Sequence, residues 1–140
     1  MAVGRLDATA YAAEIARLGI EKRVQFTGPS NNVASFYAAS DIFALPTQYE
    51  AWGLVIVEAM ACGLPVVTSA LAGAAVAVES GKTGVLLDNP DDEAEIARGL
   101  THFLDQKQID AQGISASVAR YAWDQVLLDY ERVLLTHRRQ

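Results

Sequence analysis

The chain has 140 residues, 51% of them apolar, and its 17 acidic against 11 basic side chains leave a net charge of −6. That length suits one domain with a proper core and is too short for two ordinary ones. Scattered cations exclude a large phosphate-backbone footprint, so no nucleic-acid partner is expected, and no apolar run of about 18 residues escapes interruption, which excludes a helical membrane span.

In chain order, Met1-Ala2-Val3-Gly4 reads as the end of a strand that has lost its beginning. Asp7 is placed to cap a helix over 7–18, stopped by Gly19, and a strand is predicted over 24–27. The turn-rich Gly28-Pro29-Ser30-Asn31-Asn32 leads into a short helix over 33–39, which Asn31 or Asn32 can cap. A strand over 42–45, a central helix ended by Gly63-Leu64-Pro65, and a strand over 66–68 follow. Beyond a small-residue loop the prediction gives a strand over 84–87 and helices over 91–104, 109–120 and 123–136. Asp91, Asp92 and Glu93 favour the positive end of the first of these helices. Helices alternating with short β-branched strands predict an α/β, Rossmann-like parallel sheet with helices on both faces.

The lone cysteine, Cys62, excludes an internal disulfide and is expected as a small buried side chain, in keeping with a reducing cytosol. His102 and His137 have no Cys or acid at metal-ligand spacing, so no metal site is expected and both read as surface residues. Arg138 and Arg139 read as solvated. The N-terminus lacks the basic-then-apolar layout of a secretory signal.

Glu58 is the only charge in the run Leu54-Val55-Ile56-Val57-Glu58-Ala59-Met60-Ala61-Cys62, and a carboxylate in such company needs a polar partner. Its helix reads as mostly buried. A second acid, Glu50, stands in the preceding loop Gln48-Tyr49-Glu50-Ala51-Trp52-Gly53, after a parallel strand and before a helix. Open α/β sheets bind ligands there, so the two acids frame a candidate site. Read from the residues alone, Glu58 equally serves a backbone amide. Phe36 and Tyr37 read as core or helix-face aromatics, Trp52 as a packing residue and Trp123 as the anchor of the last helix.

Three stretches, 23–28, 36–46 and 50–67, continuing through Gly81-Lys82-Thr83-Gly84-Val85-Leu86-Leu87 to Trp123, resemble the retaining nucleotide-sugar glycosyltransferases of family 4, which have the two-domain GT-B fold. The resemblance implies one half of such an enzyme, the C-terminal nucleotide-sugar-binding domain over 1–140, with the N-terminal acceptor domain and first strand absent. It also implies transfer of a hexose from a nucleoside diphosphate sugar, UDP-sugar first among them, to an acceptor hydroxyl of a glycan or lipid-linked acceptor. No cofactor and no metal are implied beyond that donor.

By the same resemblance Glu50 is the catalytic-site acid that accepts hydrogen bonds from the transferred sugar, and Glu58 grips the ribose diol. The amides of Gly53, Leu54 and Val55 face the donor phosphates, Trp52 walls the sugar pocket, and Arg23 and Val24 border the base. The Glu-Ala pair at 50–51 is similar to the lipopolysaccharide-core glucosyltransferases. The family's Gly-x-Pro-Glu stands here as Gly73-Ala74-Ala75-Val76, and its basic Arg and Lys pair falls before the first residue. The 140-residue chain is therefore expected to be inactive alone and prone to self-association, and the intact protein to be cytoplasmic, peripheral to the inner membrane.

The alternative is a non-catalytic nucleotide-binding or assembly module. A dehydrogenase lacks its Gly-x-Gly-x-x-Gly here, and Gly81-Lys82-Thr83 lacks the earlier glycine of a P-loop.

Overall fold

The structure, a computed structural model, describes residues 1–137, with side chains to Thr136. The expectations for the side chain of His137 and for Arg138 and Arg139 lie outside the described residues. The chain divides into two compact units, Met1–Phe36 and Tyr37–Gln140, each taken by itself.

In the first unit, strand β1 (Ala2–Val3) pairs in parallel with β2 (Phe26–Gly28). Between them Asp7 accepts the Thr9 amide at 3.0 Å and opens a 3-10 turn, Ala8–Tyr11, which continues as helix α1 (Ala12–Leu18). Tyr11 stacks on Phe26 with ring centres 6.0 Å apart, joining the turn to the strand. Helix α2 (Val33–Ala38) follows and carries Tyr37, the first residue of the second unit.

The second unit is built on three parallel strands, β3 (Phe43–Leu45), β4 (Val66–Ser69) and β5 (Gly84–Leu87), in the order β3-β4-β5. Ala44 lies opposite Val67, and Val67 opposite Val85. Every residue of β4 is buried, as a central parallel strand requires. Helix α3 (Leu54–Ala61) joins β3 to β4 and buries Ile56, Ala59 and Met60. Helix α4 (Glu93–Leu104) follows β5, with Gly99 set over Val67 and Val85. Helix α5 (Ala111–Ser117) adds Ile114, fully enclosed with Met60 and Leu87. The β4 polar groups are satisfied locally: Thr68 donates from Oγ1 to the Leu45 carbonyl at 2.9 Å, binding the carboxyl ends of β3 and β4 together.

The α/β class is as expected, while the strands fall into two ladders rather than one. Four expectations need correction. The small-residue loop after β4 holds a 3-10 segment, Gly73–Ala77. The helix predicted over 109–120 begins later, because Asp110 supplies the cap by accepting the Gly113 amide at 2.9 Å, and it ends at Ser117, with a separate 3-10 turn over Ala119–Tyr121. Trp123 is 75% exposed at the start of helix α6 (Trp123–His137) and anchors nothing there. Cys62 is exposed because it falls on the open side of α3, one turn beyond Glu58. Among the described residues no helix is long and apolar enough to cross a membrane.

Candidate functional site

The loop between β3 and α3 is held in place chiefly by its backbone. Glu50 forms an isolated parallel bridge with Ala72, the Gly73 amide donates to the Glu50 carbonyl at 3.0 Å, and the Ala74 amide donates to the Trp52 carbonyl at 2.7 Å. Residues 72–74 thus extend the β3-β4 pairing past the end of the ladder and clamp the loop from outside. Gly73 permits this approach, since a Cβ at that position would lie 2.2 Å from the Ala51 carbonyl oxygen. Gln48 donates from Nε2 to Asp91, tying the loop also to the connection between β5 and α4.

Gly53 turns the chain from that loop into α3. Its φ of 89° and ψ of 60° are left-handed, and a Cβ would meet Ile56 Cδ1 at 2.9 Å and Glu50 Cγ at 3.0 Å. No side chain caps α3 and no acid occupies its first turn. The first amides of a helix have no intrahelical acceptor and carry the positive end of its dipole, so this end is suited to a foreign anion.

Glu50 is half-buried, its Oε1 within 3.4 Å of the Trp52 amide. Trp52 packs edge-on against Tyr121 with ring centres 5.6 Å apart, and Arg120 lies over the other ring of that pair, 4.8 Å from its centre, donating to Tyr121 Oη at 2.6 Å. Glu58 is exposed, which corrects the expectation of a mostly buried helix. Only one stripe of α3 faces the core, while Leu54, Val55 and Glu58 share the opposite face, with Leu54 60% and Val55 37% exposed. The polar partner expected for Glu58 is Tyr37, whose Oη donates to Oε2 at 3.2 Å.

Six of the sequence-predicted residues, Glu50, Trp52, Gly53, Leu54, Val55 and Glu58, therefore belong to one loop and the helix it opens. Arg23, exposed and in a turn closed by its amide on the Ile20 carbonyl at 2.8 Å, and half-buried Val24 belong to the first unit. A hollow of about 410 Å³ lined by residues 108–112 contains none of the predicted site residues and has no part in this arrangement. Among the described residues no three His, Cys, Asp or Glu side chains are grouped to hold a metal ion.

The sequence profile described as glycosyl transferases group 1 matches residues 3–118. The chain belongs to the group 1 glycosyl transferases. It is 37% identical to the D-inositol 3-phosphate glycosyltransferase of Mycolicibacterium smegmatis over 128 residues, 86% of this chain and 29% of that protein. Among solved structures it is similar to Anabaena HepE in complex with UDP, at 32% identity and a TM-score of 0.77, covering 99% of this chain and 40% of HepE. WaaG, a glycosyltransferase involved in lipopolysaccharide biosynthesis, is 28% identical with a TM-score of 0.73, over 86% of this chain and 32% of WaaG. The chain thus spans under a third of the curated relative's length, and the expected kinship with the carboxyl-side GT-B domain stands.

Within this group 1 glycosyl transferase chain, three residues around the site went unread in the sequence. Gly73 was noted only as the remnant of a motif, although a glycine followed by small residues after a buried strand is a signal of close backbone approach. Tyr121 gave no signal, because its partner Trp52 is remote in sequence. Tyr37 reads in the sequence as a core or helix-face aromatic, yet a buried phenol requires a hydrogen-bond partner.

Proposed function

We propose that the chain is the donor-binding part of a retaining hexosyltransferase, which moves a hexose from a nucleoside diphosphate sugar, UDP-sugar first among them, to an acceptor hydroxyl. The observation that carries this is the uncapped amino end of α3, entered through left-handed Gly53 and flanked by Glu50 and Glu58. HepE, which is similar over 99% of the chain, was solved with UDP. In this reading the amides of Gly53, Leu54 and Val55 receive the diphosphate, and Glu58 accepts from the ribose 2′- and 3′-hydroxyls. Glu50 accepts from hydroxyls of the transferred sugar beside Trp52. An ionised carboxylate offers only acceptors and a vicinal diol two donors, which matches each acid to its role.

No protein nucleophile is assigned. The leaving phosphate deprotonates the acceptor on the same face of the sugar, and the protein contributes orientation and electrostatic stabilisation of the departing diphosphate. For the acceptor, the similarity to WaaG supports a glycan or glycolipid hydroxyl, whereas the name of the M. smegmatis relative supports a phosphorylated inositol.

Calorimetric titration with UDP tests the assignment of the acids. Glu58→Gln replaces a charge-assisted acceptor by a neutral one and is expected to weaken UDP binding about tenfold, about 1.4 kcal/mol. Glu50→Gln is expected to leave UDP affinity nearly intact and to abolish transfer in the full-length enzyme. Equal loss of UDP affinity in both variants would show the two roles to be wrongly divided.

A further inference from the structure

The Tyr37 hydroxyl, contributed by α2, donates to the carboxylate of Glu58, an exposed residue. Tyr37 itself is 7% exposed, with its ring edge-on to Phe43 at 5.8 Å between centres, so the core fixes the position of its hydroxyl oxygen. Both partners are held by regular structure: Phe43 opens β3 and Glu58 lies on α3. The phenol donates to a strong acceptor, Glu58 Oε2, at 3.2 Å. Glu58 lies on the exposed α3 stripe that also carries Leu54 and Val55, and the bond from Tyr37 engages Oε2 rather than Oε1.

We propose that Tyr37 is a positioning residue for nucleotide recognition: by donating to Oε2 it locks the Glu58 carboxylate in the orientation that presents Oε1 to a vicinal diol of the bound nucleoside diphosphate. The inference rests on the assignment of Glu58 to the ribose and extends it to a residue that touches no substrate. An exposed glutamate on a helix samples several rotamers, and its side-chain entropy is lost when it binds; a buried donor that has already selected one rotamer removes part of that cost. Burial and the adjacent Glu58 carboxylate raise the Tyr37 pKa well above 10.0, so the hydroxyl keeps its proton, and with it the donor role, through the neutral range.

The test uses Tyr37→Phe, which keeps the ring against Phe43 and removes only the oxygen. UDP and 2′-deoxy-UDP are titrated into the 140-residue chain and into its Tyr37→Phe, Glu58→Gln and doubly substituted variants. The expected result is about a fivefold loss of UDP affinity in Tyr37→Phe, little change for 2′-deoxy-UDP, and no further loss when the change is made in the Glu58→Gln background. General damage to the fold would weaken both ligands alike and would persist in the double variant, so that pattern overturns the proposal. If Glu58→Gln loses ribose discrimination while Tyr37→Phe retains it, the Glu58 assignment stands and Tyr37 is only a packing residue. If Glu58→Gln also retains it, or if the parent chain shows no saturation at millimolar UDP, the underlying reading of the site fails and the proposal fails with it.

Discussion

Helices α3 and α4 both follow a strand of the same parallel sheet, and their amino ends are finished in opposite ways. At α4, Asp92 accepts the amides of Ala94 and Glu95 at 2.9 and 3.2 Å, Glu93 and Glu95 add negative charge in the first turn, and Glu95 reaches back to the amides of Asp88 and Asn89 at 2.8 and 3.0 Å. That end is closed by its own carboxylates. At α3 the capping position is Gly53, the first turn is Leu54-Val55-Ile56, and acids stand only to either side, at Glu50 and Glu58. Sequence chemistry that stabilises one helix end has been omitted at the other. With glycine in the capping position the omission has a stability cost of about a few tenths of a kcal/mol relative to a capped end, and it leaves the positive end of a dipole available to an anionic ligand.

The largest way to break this contrast is to dislodge the loop that delivers Gly53. Gly73→Ala drives a methyl into the Ala51 carbonyl, so the 72–74 clamp must open; the expected destabilisation is about 3 kcal/mol in a urea melt, with loss of UDP binding. The opposite manipulation removes the cap at α4. Asp92→Ala should lower stability by about 1 kcal/mol and leave UDP affinity unchanged, because the anion is assigned to α3 alone. A fall in affinity matching that expected for Glu58→Gln would erase the distinction between the two ends.

A smaller effect is expected in alkali. The folded chain holds the Tyr37 pKa above its ordinary 10.0, through burial first and the Glu58 carboxylate second. Folding therefore favours the protonated phenol. Its contribution is complete below about pH 10 and is lost as pH rises from there through the folded value. Urea melts should show stability declining more steeply above pH 10 in the parent chain than in Tyr37→Phe. Parallel declines would mean that other groups dominate the alkaline limb.

Much of this was legible in the sequence because the signals are local. Gly84–Leu87 is bounded by turn residues and appears as β5 with the predicted limits. The acidic start of α4 follows from residue chemistry within a few positions. The pairing of Glu50 and Glu58 was visible because a loop and the helix after it are contiguous. What escaped depends on distant partners: the Tyr37 hydroxyl meets a carboxylate 21 positions later, and the Ala74 amide meets the carbonyl of Trp52 from beyond β4. The burial of α3 was misjudged because apolar residues surround the helix on all sides, and periodicity then cannot say which face the core takes. Ile56, Ala59 and Met60 take it, leaving Leu54, Val55 and Glu58 outward.

The most direct test of the open α3 terminus is a 15N–1H NMR titration of the chain with UDP. Shifts are expected to concentrate at Gly53, Leu54, Val55 and Glu58, with the amides of Ala94 and Glu95 at the capped end of α4 unmoved. Silence at Gly53 to Glu58 at millimolar UDP, or shifts of equal size at both helix ends, would contradict an anion site at α3.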